Sequence, residues 1–181
     1  MRKARAAVVL LAFGMWAAGV IGAQEHAPSA WRASATQGAH HEFLQHERAA
    51  IERGEGFGMA LAADRAGYPG SKHILELKEQ LKLTAEQQAA VEKLFAEMKA
   101  KAIARGKEFL AAEEQLEKFF AEGKPEAELR EESYRVATLR AELRWVHLAA
   151  HLEAKKLLTA EQLMTYRHLR WVGGGHTHSA P

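Results

Sequence analysis

His147 and His151 stand four residues apart in the stretch VHLAAHLEAKKLLTAEQ, residues 146–162. On a helix, residues four apart share a face, so the two imidazoles can converge on one ion. The chemistry on offer is coordination of a divalent transition metal: Zn, Cu, Ni or Co. A thioether or carboxylate from a facing element would extend the set. The competing reading is a hydrogen-bonded core histidine, because His147 also falls on an apolar seam. His73, and His46 with Glu42, are candidates to complete a site from earlier elements. His40 and His41 read as a solvated face, and His176 and His178 stand in a glycine-rich tail. If an export signal is cut after Ala23, the free amine of Gln24 with His26 at the third position offers a tetragonal nitrogen site for Cu(II) or Ni(II). No nucleophile–base grouping, phosphate-binding glycine loop or basic–aromatic nucleic-acid pattern is present. A binding protein is expected, without enzymatic activity and without a nucleic-acid partner.

The elements that must position these residues are helical. Only four prolines occur, and alanine and charged residues dominate residues 72–170. The phrase LTAEQ appears twice, at 83–87 and at 158–162. Thr84 with Gln87, and Thr159 with Gln162, are capping boxes, so each copy opens a new helix. Leu158 and Leu163 also occupy hydrophobic-staple positions. After Leu83 the equivalent place holds Gln88, and the staple is missing. The pattern predicts helices over His40–Arg53, a short stretch to Arg65, Lys72–Leu81, Thr84 to about Glu122, Glu126–Leu157 and Ala160–Trp171. Glycine-containing turns separate them at 54–58, 67–70 and 123–125.

The two long helices should fold back as an antiparallel hairpin. Val91, Phe95, Met98, Ala102, Arg105, Phe109, Ala112 and Leu116 step by four and three, a coiled-coil seam. Leu129, Ser133, Val136, Arg140, Leu143, His147, Ala150, Ala154 and Leu157 form its partner. With the turn centred near residue 124, facing positions sum to about 248. His151 is thereby placed opposite Glu97, and His147 near Met98. Tyr134, Trp145, Leu148 and Leu152 lie on another face of the second helix. Such a face needs a cover, whether other helices, a second subunit or a client protein.

The N-terminus reads as an export signal. Arg2, Lys3 and Arg5 precede eighteen uncharged residues that end in small side chains. The expected organisation is a signal peptide over 1–23, a flexible arm over 24–38, a helical domain over 39–172 and a disordered Gly/His tail over 173–181. The expected location is the periplasm; an uncleaved segment would instead anchor the chain in the inner membrane, facing the periplasm. Three of the 25 basic residues and none of the 23 acidic residues precede residue 24, which leaves 22 against 23. A near-neutral remainder does not argue for nucleic acid. There is no cysteine, so stability rests on packing, and metal ligands must be His, Met, Asp or Glu.

Two LTxxQ phrases flanking a long helical hairpin, in an exported chain without cysteine, resemble the LTxxQ-motif periplasmic family, over about Gly56 to Trp171. That family includes Spy and CpxP envelope-stress chaperones, zinc-resistance-associated proteins and CnrX-type nickel and cobalt sensors. The resemblance implies an all-α, curved helical-hairpin fold, often a homodimer, without catalysis. It implies either holding unfolded periplasmic proteins without ATP or binding and sensing heavy metals, together with an envelope sensor or regulator as partner. CnrX-type members carry His-x-x-x-Met before the second LTxxQ. His147-x-x-x-His151 occupies that place here, so the resemblance extends a metal role to these two positions. In a holdase, Tyr134, Trp145, Leu148 and Leu152 would supply the client surface.

Overall fold

The structure, a computed structural model, describes residues 29–172. It is helical throughout, and no strand occurs among the described residues. Helix α1 spans Ser29–Glu52, α2 Leu61–Arg65, α3 Ser71–Glu76, α4 Ala85–Ala121, α5 Glu126–Lys156 and α6 Ala160–Arg167. A short π-helical stretch, His168–Val172, follows. Residues from Ala39 onward form one compact unit; of the other unit, Met1–Gly38, only the start of α1 is described. The expected signal segment and the Gly/His tail lie outside the described residues.

Three boundaries differ from the sequence reading. Helix α1 begins at Ser29 rather than His40. Ala30, Ala33, Ala35 and Ala39 are strong helix formers, so the second part of the expected arm is helical. Helix α3 stops at Glu76, and turns carry the chain to Leu83. Lys82 adopts a positive φ of 49° there, which continued helix would not permit. The last α-helix ends at Arg167, where the backbone widens into the π stretch.

The two long helices pair as the seam predicts. Arg105 lies 3.1 Å from Glu142, and the Arg140 guanidinium is 5.4 Å from the centre of the Phe109 ring. Both pairs obey the facing rule. Glu126 and Glu128 in the first turn of α5, and Lys155 and Lys156 in its last, complement the helix dipole. Buried side chains form two clusters along the hairpin. One holds Ile51, Ala102, Phe109, Ala112, Val136 and Leu143; the other holds Ile74, Leu81, Val91, Ala154, Leu158 and Tyr166. Within the partner seam, Glu132 is buried in place of the expected Ser133, and it takes an ion pair from Arg135 at 2.8 Å. Helix α1 crosses α4 at Gly106, where an added Cβ would stand 2.7 Å from Ile51 Cγ2 and 3.1 Å from Ile51 O. Only glycine lets the two backbones approach this closely.

Both capping boxes form, each with the threonine accepting from the glutamine N–H and the glutamine accepting in return. The two motifs also grip each other. Gln87 Nε2 donates to Gln162 Oε1, and Gln162 Nε2 donates to Gln87 Oε1, both at 2.9 Å. Each amide nitrogen also donates to a main-chain carbonyl of the opposite segment, Gln87 to Leu157 O at 2.9 Å and Gln162 to Leu81 O at 3.2 Å. With the capping bonds from Thr84 N and Thr159 N, every donor and acceptor of both amides is used. The clasp ties the end of the hairpin opposite the Gly123–Pro125 turn.

Candidate metal site

Between the two core clusters the seam opens into a cavity of about 500 Å³. Its hairpin walls are Phe95, Met98 and Lys99 from α4 and His147, Ala150 and His151 from α5. The segment from Arg53 to His73 covers it. Of the sequence-predicted metal candidates, Met98, His73, His147 and His151 therefore line one chamber.

Glu97 and His46 do not. Glu97 precedes Met98 by one residue, and about 100° of helical rotation turns it away from the seam. It is exposed and sits 3.9 Å from Lys93. His46 is exposed on α1, while the cavity roof starts only at Arg53. Among the described residues no three His, Asp or Glu side chains come together as a ready-made metal set; the thioether of Met98 is a donor outside those types.

Each imidazole has a distinct environment. His147 is 5 % exposed, and its Nε2 is buried without a hydrogen-bond partner. Burial, and then the neighbouring His151, push its pKa below the ordinary 6.5. Both effects favour the neutral ring, which keeps a lone pair. His151 Nδ1 lies 2.8 Å from Tyr68 O. A carbonyl only accepts, so Nδ1 carries the proton and Nε2 is left as the donor atom to a metal. His73 Nδ1 is held 2.9 Å from Glu76 Oε2, a carboxylate–histidine pair of the kind that orients metal ligands. The cations around the chamber are largely matched: Arg53 pairs with Glu55, Lys72 with Glu76 and Arg170 with Asp64. A further cation is thus not opposed by a set of bare positive charges.

The seam, the paired capping boxes and the clasp between Gln87 and Gln162 are the structural form of a repeated LTxxQ motif, and a family model for the LTXXQ motif family matches residues 69–169. The chain belongs to the LTXXQ motif family. Neither a curated protein nor a solved structure gives a match. The family match includes α3 to α6 and all four cavity-lining candidates, Met98, His147 and His151 on the hairpin and His73 on α3. It leaves α1, α2 and the loop at 54–58 outside. No described helix is long and apolar enough to cross a membrane.

The sequence reading missed a buried polar cluster beside the cavity. Asp64, 5 % exposed, accepts from Tyr166 Oη at 2.7 Å and from Arg170 Nη2 at 2.9 Å. Tyr166 Oη in turn accepts from Gly70 N at 3.4 Å. Burial and the adjacent Asp64 carboxylate push the Tyr166 phenol well above its usual range. The cluster fastens α2 to the C-terminal helix. Asp64, in the small apolar context ALAADRAG, carried no spacing signal toward partners about a hundred residues away.

Of the surface candidates, Tyr134, Trp145 and Leu152 are 69 %, 58 % and 39 % exposed. Leu148 is half-buried rather than open. All four lie on the side of α5 away from Val136, Leu143, His147 and Ala150.

Proposed function

We propose that this LTXXQ-family protein is a non-catalytic, exported envelope protein that binds a transition-metal ion, in metal sensing or resistance. The reading is carried by His147: a neutral imidazole whose buried Nε2 has no partner, on a cavity wall shared with His151 and Met98. An unsatisfied buried polar atom costs about 1–3 kcal/mol, and a bound ion would remove that cost. His147, His151 and Met98 would hold it. Two imidazoles with a thioether suit Zn, Cu, Ni or Co and not Mg or Ca. The periplasmic location expected from the N-terminal segment fits a role of this kind.

Isothermal titration with Zn(II) or Cu(II) should give one ion per chain in the native protein, and the double substitution His147→Ala with His151→Ala should abolish it. Unchanged binding by the double variant removes the proposal.

The exposed stripe of Tyr134, Trp145 and Leu152 supports a second reading, an ATP-independent holdase for unfolded periplasmic proteins. Apolar surface rimmed by charge captures chains through desolvation. In that case the metal-free protein slows aggregation of an unrelated unfolded protein, and Tyr134→Ser with Trp145→Ser loses most of the effect. If the double variant protects as well as the native chain, the stripe is not a client surface. A homodimer would cover the same stripe, and sedimentation of the same variant reads that out as a loss of mass.

A further inference from the structure

The strongest unexplained feature of the chamber is the meeting of two histidines across Gly70. A Cβ placed on Gly70 would stand 3.1 Å from both His151 Cε1 and His151 Nε2, and 3.5 Å from His73 Cδ2. Two imidazole edges from different elements thus flank one hydrogen-sized gap. Of the His73 ring, Cδ2 is the atom that meets Gly70, and it is bonded to Nε2, the nitrogen not held by Glu76. Nδ1 of each ring is already held by an oxygen, Tyr68 O for His151 and Glu76 Oε2 for His73. In the neutral form of each ring Nε2 therefore keeps its lone pair.

Resting on the metal-binding reading above, we infer that His73 is a ligand of the same ion, so that metal binding latches α3 and the turn before it onto α5. His147 and His151 belong to the hairpin, while His73 belongs to the covering segment. An ion shared between them adds a tie between elements that already pack in one core cluster through Ile74, Val91 and Ala154 and that share a few polar bonds nearby. These are Tyr68 O accepting from His151, Met59 O accepting from Arg144, and the Asp64 cluster. The rings stand apart in the structure as described, with no trio converged. The His73 side chain is 33 % exposed, whereas His147 is buried. The latch requires the His73 ring to turn so that its Nε2 joins the other two imidazoles at the ion. Three imidazoles and the Met98 thioether make four donors, the number a tetrahedral ion takes. The role of Gly70 follows. Its φ of −81° and ψ of 139° suit any residue, so its backbone does not demand glycine; the space between the rings does.

The test uses the full-length chain and Zn(II) alone. Native protein should bind one ion, and X-ray absorption should count three histidines. Trypsin cleavage at Arg53, Arg65 and Lys72, all exposed, should slow when Zn(II) is added. His73→Ala should still bind, with affinity reduced on the order of 10–100-fold, with one histidine fewer and without protection from trypsin. Gly70→Ala keeps all the ligands but puts a methyl between two of them, and should lower affinity by a similar factor, with its metal-free melting temperature measured alongside to separate displaced rings from lost fold. If His73→Ala keeps native affinity, histidine count and protection, the latch is overturned while the His147–His151 reading stands. If the native chain binds no Zn(II), both fall.

Discussion

Asp64→Ala is expected to cost about 3 kcal/mol, because removing one partner of a buried ion pair strands the other. Asp64 is the common acceptor for the Tyr166 hydroxyl and the Arg170 guanidinium. Its loss leaves a phenol that is itself buried, with 0 % of the residue exposed, without its acceptor. Arg170 is 31 % exposed at the side chain, so water recovers part of its loss, which keeps the figure at the low end for such pairs. For a chain of this size the melting temperature should fall by roughly 6–12 °C. Tyr166→Phe removes one hydrogen bond and should cost only about 1 kcal/mol. Thermal unfolding of the three proteins checks the order. If Asp64→Ala melts within a degree or so of the native chain, α2 is not fastened as described.

The second large effect concerns the repeated glutamines. Gln87→Ala and Gln162→Ala should each cost about 2 kcal/mol, since each removes a capping bond and orphans a part-buried carbonyl and the partner amide. The informative quantity is the double variant. Once one glutamine is gone, the other has already lost half of its side-chain partners, so the second substitution should cost about 1 kcal/mol less than it does alone. Denaturant unfolding of the four proteins gives this coupling directly. Strictly additive losses would mean that the two motifs act as independent helix starts and that their mutual bonds contribute nothing.

The hairpin was legible because its seam is periodic and its turn is punctuated by Gly123 and Pro125. From those two facts alone the facing rule places His151 opposite Glu97 and His147 near Met98, and the observed pair of Arg105 and Glu142 obeys it. The same rule erred at Glu97 because it sets the level along the axis but not the rotation about it. One residue of helix is about 100°, enough to move a carboxylate from the seam to water. The threonine–glutamine boxes were legible as local spacing. Their bonding to each other was not, because it joins residues 75 apart in sequence, and both glutamines already had a complete local role. His73 could be placed near the site only by the fold, since the turns at 67–70 and 77–82 decide where α3 lies. The start of α1 lies earlier than the small polar residues of 29–38 suggest, because the alanines among them are the best of helix formers.

The clasp also brings two helix beginnings together. The first turns of α4 and α6 each expose free N–H groups, and each carries the positive end of a helix dipole. Placed side by side, like poles repel. Each copy of the motif brings its own counterweight: Glu86 in the first turn of α4 and Glu161 in that of α6. The Glu86 carboxyl is held below its usual range, first by a main-chain bond and then by Thr84, so it stays ionised where the field needs it. The fourth letter of LTAEQ thus has a purpose that neither helix alone would reveal. It lets two partial charges of the same sign share one small region of the molecule, a neutralisation that acid would weaken and that added salt would render less necessary.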